Sequence, residues 1–427
     1  MLSRALWKPL LHRAVTGRWH PFRMVNVEPP LPQHLHRLGL YVHVPFCGNL
    51  CPFCPYNRHP YSDEAFARYE LAIRQEIDLH ADDLAESEVV SLYIGGGTPT
   101  VNLDGLLRIL GHLASRFRHP SDICIELHPS SMDDACLARL RQAGVTMVSV
   151  GVESTSDRIL QVLGRYHDGH AALNAARRAV AAGFETVNVD LMFALPTQSL
   201  DEWETDLQRI LDTGAHQLST YPLFAFPYSD LGKQRRIGAI ERPPGRLIRA
   251  MLARTHELAT DRGLERCAVW SWLRRPLKKF SSITRHHYVG FGPSAASMIG
   301  SHFYVNTFSV DAYASALPRR RPVALSLAVD RRLEMAYWLY WRVYELHVGE
   351  ADFRDQFGAD ADLTRMFGHL FRPLMLAKLA ERTPDGYRIT NSGAYWIHRI
   401  QNEYRLNYIN RLWGRCRDEP WPAQVTL

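Results

Sequence analysis

No stretch of this 427-residue chain is apolar for long enough to cross a membrane. Tyr288 to Val310 has no Asp, Glu, Lys or Arg, but Gly, Pro, Ser, His and Asn interrupt it throughout, which excludes a transmembrane helix. Cysteine is sparse. Of seven, Cys124, Cys136, Cys267 and Cys416 are isolated, so a disulfide framework is excluded and a reducing cytoplasm is the expected setting. Acidic residues are missing from the first 27 positions, which carry Arg4, Lys8, Arg13, Arg18 and Arg23. Such a basic arm suits a transit peptide, a contact for an anionic substrate or a weak membrane-surface contact, or a solvated tail; it has no apolar segment of secretory length. Internal repeats and low-complexity tracts are absent. So is a dense basic stripe with base-reading polar side chains, which argues against a nucleic-acid partner.

What is present reads as an ordered globular protein of two or three domains: 46% hydrophobic, 22% charged, net charge +6. Residues 1–38 read as an irregular basic arm, with Pro21, Pro29, Pro30 and Pro32 blocking long elements. Residues 39–310 read as an α/β unit. Residues 311–427 read as a helical domain with a β-wing, the Pro-Asp-Gly turn at 384–386 joining a hairpin. Tyr337, Trp338, Tyr340, Trp341 and Tyr344 fit core packing better than a substrate shelf.

Within the α/β unit six short apolar strands alternate with helices: Leu40–Val44, Val89–Ile94, Ile123–Leu127, Thr146–Val150, Thr186–Leu191 and Gln217–Leu223. Ser62 and Ser199 stand as N-caps, and Phe66, Tyr69, Ile73 and Ile77 follow Ser62 at helical spacing. This alternation predicts parallel strands with right-handed crossovers. Six units fall short of a closed eight-fold barrel, so an open barrel or doubly wound sheet is expected, with its functional groups at the C-terminal strand ends. Every marked loop lies there: the cysteine loop, Gly95–Pro99, Glu126–Pro129, Gly151–Glu153 and Asp190–Pro196.

The first of those loops holds Cys47, Cys51 and Cys54, spaced C-x3-C-x2-C among Pro45, Gly48, Pro52 and Pro55. Thiolates at this pitch suit a soft metal centre. A structural zinc site needs a fourth ligand, for which His43 and His59 are the candidates. A disulfide would leave one thiol over. An iron–sulfur cluster held by three Cys leaves one iron open for chemistry and fits best.

The Cys loop together with Gly95-Gly-Gly-Thr-Pro99 resembles the radical S-adenosylmethionine superfamily. Tyr41-Val-His-Val-Pro-Phe-Cys47, Glu126-x-x-Pro129, Ser149-Val-Gly-Val-Glu153, Leu163-Gly-Arg165-x-His167, Asn188-Val-Asp190 through Pro196, and Gly290–Gly300 are similar to the oxygen-independent coproporphyrinogen III oxidase family. The resemblance implies a partial (β/α)6 TIM-like barrel, a [4Fe–4S] cluster on Cys47, Cys51 and Cys54, and two S-adenosylmethionine molecules. By it, Tyr41, Phe53, Gly96, Gly97, Thr98 and Glu126 surround the first molecule, and Glu153, Arg165 and Asp190 the second. From the residues alone, Glu126 also fits a helix-capping acid and Arg165 a surface pair with Asp168. An unpaired Asp190 among apolar neighbours is costly and needs an inward role.

The chain departs from the family pattern at three places. Glu153 stands where the family carries Gln. Tyr56 stands where the heme-biosynthetic enzymes carry a further Cys. Ser281–Tyr288 replaces a His-Asn…Tyr-Trp element. These departures touch the substrate more than the cofactors. The expected activity is therefore methyl transfer or cyclopropanation at an sp² carbon of an aromatic substrate, as in the class C radical methyltransferases. The alternatives are oxidative decarboxylation of a tetrapyrrole and a heme chaperone on the same scaffold. A flavodoxin-type reductase is the expected electron donor. His43, His286 and His287 are candidate proton carriers, and no residue is assigned as catalytic.

Overall fold

The computed structural model describes the chain apart from residues 1–3, 19–20, 33–34, 85, 119, 224–225, 227–228, 230–242, 282–286 and 318, and apart from the side chains of 4–8 and 402–407. Its centre is a run of six parallel strands: β1 (Arg37–Val44), β2 (Glu88–Gly96), β3 (Ile123–Leu127), β4 (Met147–Glu153), β5 (Thr186–Phe193) and β6 (Gln217–Pro222). They pair in chain order. Val148, Val150, Val152, Val187, Val189 and Leu191 are fully buried. Strands covered on both faces have no wet side to alternate with, hence their near-continuous apolar character.

Helices join the strands and cover the outer face: Asp63–Leu84, Leu103–Arg116, Asp134–Gln142, Asp157–Val162, Gly169–Ala181 and Leu200–Leu211. Their starts are chemically marked. Ser199 and Glu202 form a capping box. Asp168 accepts from the Ala171 N–H at 2.7 Å and caps Gly169–Ala181. The result is the partial α/β barrel expected from the alternation.

The sheet runs beyond the barrel at both edges, to fourteen strands. Next to β6 lie Ser271–Arg274 and then Leu264–Ala268, antiparallel. Next to β1 lies Tyr288–Phe291, parallel, followed by antiparallel Ala296–Ile299, His302–Asn306, Val323–Ala328, Arg23–Val25 and Gln424–Thr426.

The first 38 residues differ from the irregular arm expected of them. Arg4–Thr16 is a helix, and Arg23–Val25 is a strand between two others. The reason is tertiary. Arg332 and His369 each donate to the Ala14 carbonyl at 3.2 Å, and His12 and Thr16 are buried. The prolines at 21 and 29–32 bracket the strand and leave its three residues free to pair.

Past the sheet, helices Arg331–Tyr344, Glu350–Phe357, Leu363–Leu376 and Asn391–Asp418 surround a three-stranded wing of His347–Gly349, Ala380–Thr383 and Gly386–Ile389. Trp338 packs on Phe353 (5.3 Å between centroids), and Phe371 stacks on Tyr387 at 4.0 Å. Trp338 and Tyr344 are buried in this core, while Tyr337, Tyr340 and Trp341 are half-buried at its edge. Among the described residues no helix is long and apolar enough to cross a membrane.

Candidate functional site

The loop after β1 carries Cys47, Cys51 and Cys54, all free thiols. Phe46–Cys47 pairs with His59–Pro60, which closes the loop on itself. Burial pushes the Cys47 thiol up, with the Thr98 hydroxyl, Arg58 and Arg165 pulling it back. Burial pushes Cys54 up to about 12, again opposed by Arg58. Left as thiols these groups are inert; coordination to iron supplies the charge that makes them thiolates.

His43 does not serve as a ligand or as a proton carrier near neutral pH. Its Nε2 donates to the Asn57 carbonyl at 2.9 Å, and its Nδ1 accepts from the Tyr41 hydroxyl at 2.7 Å. Burial holds its pKa down to about 4, so the ring is neutral. Among the described residues, no three His, Cys, Asp or Glu side chains are grouped as a single metal ion requires. His287 faces Glu334 at 3.7 Å, within the outer layer. His286 lies outside the described residues, as does most of the Ser281–Tyr288 departure.

The glycine turn packs directly on the cysteine loop. Gly97 donates to the Val44 carbonyl and Thr98 to the Phe46 carbonyl, both at 2.7 Å. A Cβ on Gly97 would come within 2.5 Å of the Phe46 carbonyl oxygen. Gly96 has φ +112°, and a Cβ there would meet the His43 ring at 2.7 Å. Only glycine permits this approach and this backbone. One bare backbone segment thus lies against Phe46 and His43, at the start of the cysteine loop.

Three half-buried carboxylates line the same end of the barrel. Glu126, at the end of β3, accepts from the Gly96 N–H at 3.2 Å and from the Tyr93 hydroxyl. It caps no helix; it ties β3 to the glycine turn. Asp190, in β5, accepts from Ser149 Oγ at 2.6 Å and Asn188 Nδ2 at 2.9 Å. Glu153 ends β4 at a register shift, with φ +67°. A non-glycine residue in that region is strained, and such strain collects at functional sites. Burial raises Glu126 and Glu153 to about 7 and Asp190 to about 6.

Arg165 is the cation beside them. Its guanidinium donates to the Gly151 carbonyl and reaches Cys51 Sγ at 3.6 Å, and its charge favours ionisation of Glu153. It does not pair with Asp168, which is occupied as a helix cap. Phe53 packs with Ile159, Leu163, Met192 and Leu195, walling the loop on the β4–β5 side.

Four participants were not singled out from the sequence. Tyr93 binds Glu126. Ser149 and Asn188 bind Asp190. His128 stacks on Tyr166 (4.6 Å, 9°); its Nδ1 accepts from the Ser130 N–H, leaving a buried Nε2–H without a protein partner among the described residues. The signal for Asn188 and Asp190 was available: polar residues two apart in an apolar strand share one face.

Free thiols in one loop, bare glycine backbone at the start of that loop, half-buried carboxylates raised by desolvation and an orphaned imidazole donor fit a cluster and an amino-acid-bearing, cationic cofactor. Carboxylates accept from ammonium and ribose hydroxyls, and the guanidinium and imidazole donate to a carboxylate.

Comparison with known proteins agrees. Residues 41–210 match the model of the Radical SAM superfamily. Heme chaperone HemW of Mycobacterium tuberculosis is 30% identical over 317 residues, 69% of this chain and 79% of that protein. HemW of Bacillus subtilis is 27% identical over 280 residues, 64% and 74% of the two chains. The oxygen-independent coproporphyrinogen III oxidase of Escherichia coli is 27% identical over 399 residues, 85% and 84%. The solved structure of coproporphyrinogen III oxidase HemN from Escherichia coli has the same fold, with a TM-score of 0.73 at 24% identity over 87% of this chain and 89% of that one. The chain belongs to the radical SAM superfamily and, within it, to the HemN- and HemW-like family.

Proposed function

We propose that the protein is a radical SAM enzyme that acts on a tetrapyrrole. The observation that carries this reading is the ring of Glu126, Glu153, Asp190 and Arg165 around the cysteine loop. A pure carrier has no use for three half-buried carboxylates gathered at this end of the barrel, since partial desolvation costs each one free energy unless a ligand compensates it. The tetrapyrrole is supported by the relatives, named as heme chaperones and coproporphyrinogen III oxidases. They favour this substrate over the aromatic methyl acceptor expected from the sequence departures.

A [4Fe–4S] cluster with S-adenosylmethionine, bound here, would supply one-electron radical chemistry, with a flavodoxin-type protein as the electron donor. The protein's own residues do the rest. Cys47, Cys51 and Cys54 would hold the cluster. Gly96 and Gly97 would leave room for the methionine portion, Glu126 would accept from its ammonium group, and Tyr41 and Phe53 would face the rest of the cofactor. Glu153, Asp190 and Arg165 offer a second set of charges, enough for a second S-adenosylmethionine.

The test is anaerobic reconstitution with coproporphyrinogen III or heme, dithionite and S-adenosylmethionine. Coproporphyrinogen-dependent 5′-deoxyadenosine with matching carbon dioxide supports decarboxylation. Equal 5′-deoxyadenosine and S-adenosylhomocysteine, with methyl on the product, would replace it with methyl transfer. Heme binding that survives Cys51→Ala, with no 5′-deoxyadenosine from wild type, would overturn catalysis in favour of carriage.

A further inference from the structure

The cysteine loop is held by two guanidiniums that no motif singled out. Arg58 donates through Nη1 to the Cys54 carbonyl at 3.0 Å and through Nη2 to the Cys51 carbonyl. Its planar fork spans the backbones of two ligands, closing the turn already made by the Cys54 N–H and the Cys51 carbonyl (3.2 Å). Arg417, on helix Asn391–Asp418, donates to the Pro55 and Tyr56 carbonyls at 3.0 Å each. Between them these arginines take four carbonyls of the segment from Cys51 to Tyr56.

The backbone that carries Arg58 is itself fixed. The neighbouring Asn57 is buried; its carbonyl accepts from His43 and its amide donates to the Phe308 carbonyl at 2.8 Å. Among the described residues no carboxylate neutralises Arg58. The two arginines differ in what they hold. Arg58 bonds the carbonyls of two ligand residues, Cys51 and Cys54, whereas Arg417 bonds those of Pro55 and Tyr56, outside the ligand set.

We propose that Arg58 positions the cluster loop and raises the reduction potential of the cluster, while Arg417 braces the loop without setting the potential. The inference rests on the radical SAM reading above. Reduction adds negative charge to an already anionic cluster, and a nearby uncompensated cation stabilises the reduced state. Hydrogen bonds to the backbone of Cys51 and Cys54 restrict the loop that carries the three sulfurs before iron arrives.

The test uses the full chain, reconstituted anaerobically, as wild type, Arg58→Lys, Arg58→Gln and Arg417→Gln. Iron and sulfide content, the midpoint potential by EPR-monitored titration, and the rate of iron loss to a chelator are read for each. Circular dichroism confirms folding. Arg58→Gln should shift the reduction equilibrium about tenfold toward the oxidised cluster, ~59 mV for a one-electron couple, and lose iron faster. Arg58→Lys should restore most of the potential but not the retention of iron, because an ammonium keeps the charge without the fork. Arg417→Gln should lose iron about tenfold faster at an unchanged potential. A wild-type cluster whose potential and iron retention are matched by Arg58→Gln overturns this inference alone. A wild type that takes up no iron overturns the family chemistry first and this inference with it.

Discussion

Arg165 reaches Cys51: its Nη1 lies 3.6 Å from the sulfur while its other terminal nitrogen binds the Gly151 carbonyl. One side chain therefore joins the cysteine loop to the end of β4, next to Glu153. Arg165→Met should weaken S-adenosylmethionine binding by ~2 kcal/mol or more, because it leaves Glu153 half-buried without a counter-charge. Arg165→Lys should lie between, since an ammonium cannot fork to both partners. Isothermal titration of the reconstituted proteins measures this, and equal affinity across the three would remove Arg165 from the site.

Gly97 and Gly48 make a matched pair. A Cβ on Gly97 runs into the Phe46 backbone, whereas one on Gly48 has nothing within 4 Å. Gly97→Ala should cost ~1–3 kcal/mol and reduce iron incorporation, because backbone cannot move aside as a side chain can. Gly48→Ala should stay within ~0.5 kcal/mol of wild type. Urea denaturation and iron analysis separate the two.

The three carboxylates should stabilise the cofactor-free protein less as pH rises, against the opposite trend from the neutral buried imidazoles of His43, His80, His128 and His167. Burial raises Glu126 and Glu153 from 4.5 to about 7 and Asp190 from 3.8 to about 6. Between the ordinary and the raised values the folded chain keeps protons that the unfolded chain has released. Unfolding then releases protons, and higher pH favours it. The stabilising contribution is complete below about pH 4, falls through about pH 7 and levels off above. Glu126→Gln should flatten the slope. A difference in denaturation midpoint between wild type and Glu126→Gln that does not vary with pH across this window would contradict the assignment.

Glu76 should be a folding residue with a functional side effect. It is fully buried and accepts from the Gly292 N–H (2.8 Å), Asn306 Nδ2 (2.7 Å) and the Tyr313 hydroxyl (2.6 Å). Gly292, at φ +103°, is so close to β1 that a Cβ would sit 2.5 Å from the His43 carbonyl oxygen. Glu76→Ala leaves three buried donors unmet, at ~1–3 kcal/mol each. Loss of more than about 3 kcal/mol in urea denaturation is expected, and Tyr313→Phe should lose about 1 kcal/mol.

The barrel was legible because its strands are buried runs punctuated by Gly and Pro, and because Ser62 and Ser199 mark helix starts. Leu103–Arg116 was harder. Leu106, Ile109, Leu110 and Leu113 bury one face, but Gly105 and Gly111 weaken its helical signal. The antiparallel extension was not legible, since its strands are three to six residues long and pair across distant sequence. In the site, the residues inside motifs were readable. Tyr93 was not, because a tyrosine in an apolar strand looks like core until Glu126 is found on its hydroxyl. Arg58 and Arg417 act through backbone carbonyls, and carbonyls leave no trace in a sequence.

The brace from Arg417 has a consequence for the order of events in synthesis. The cysteine loop leaves the ribosome well before its partner guanidinium, which lies 361 residues after Tyr56. The strand Arg23–Val25 waits likewise for Val323–Ala328 and Gln424–Thr426. A barrel folded on the growing chain therefore presents an unbraced thiol loop, and the seat for iron reaches its final shape only after residue 417 has been made.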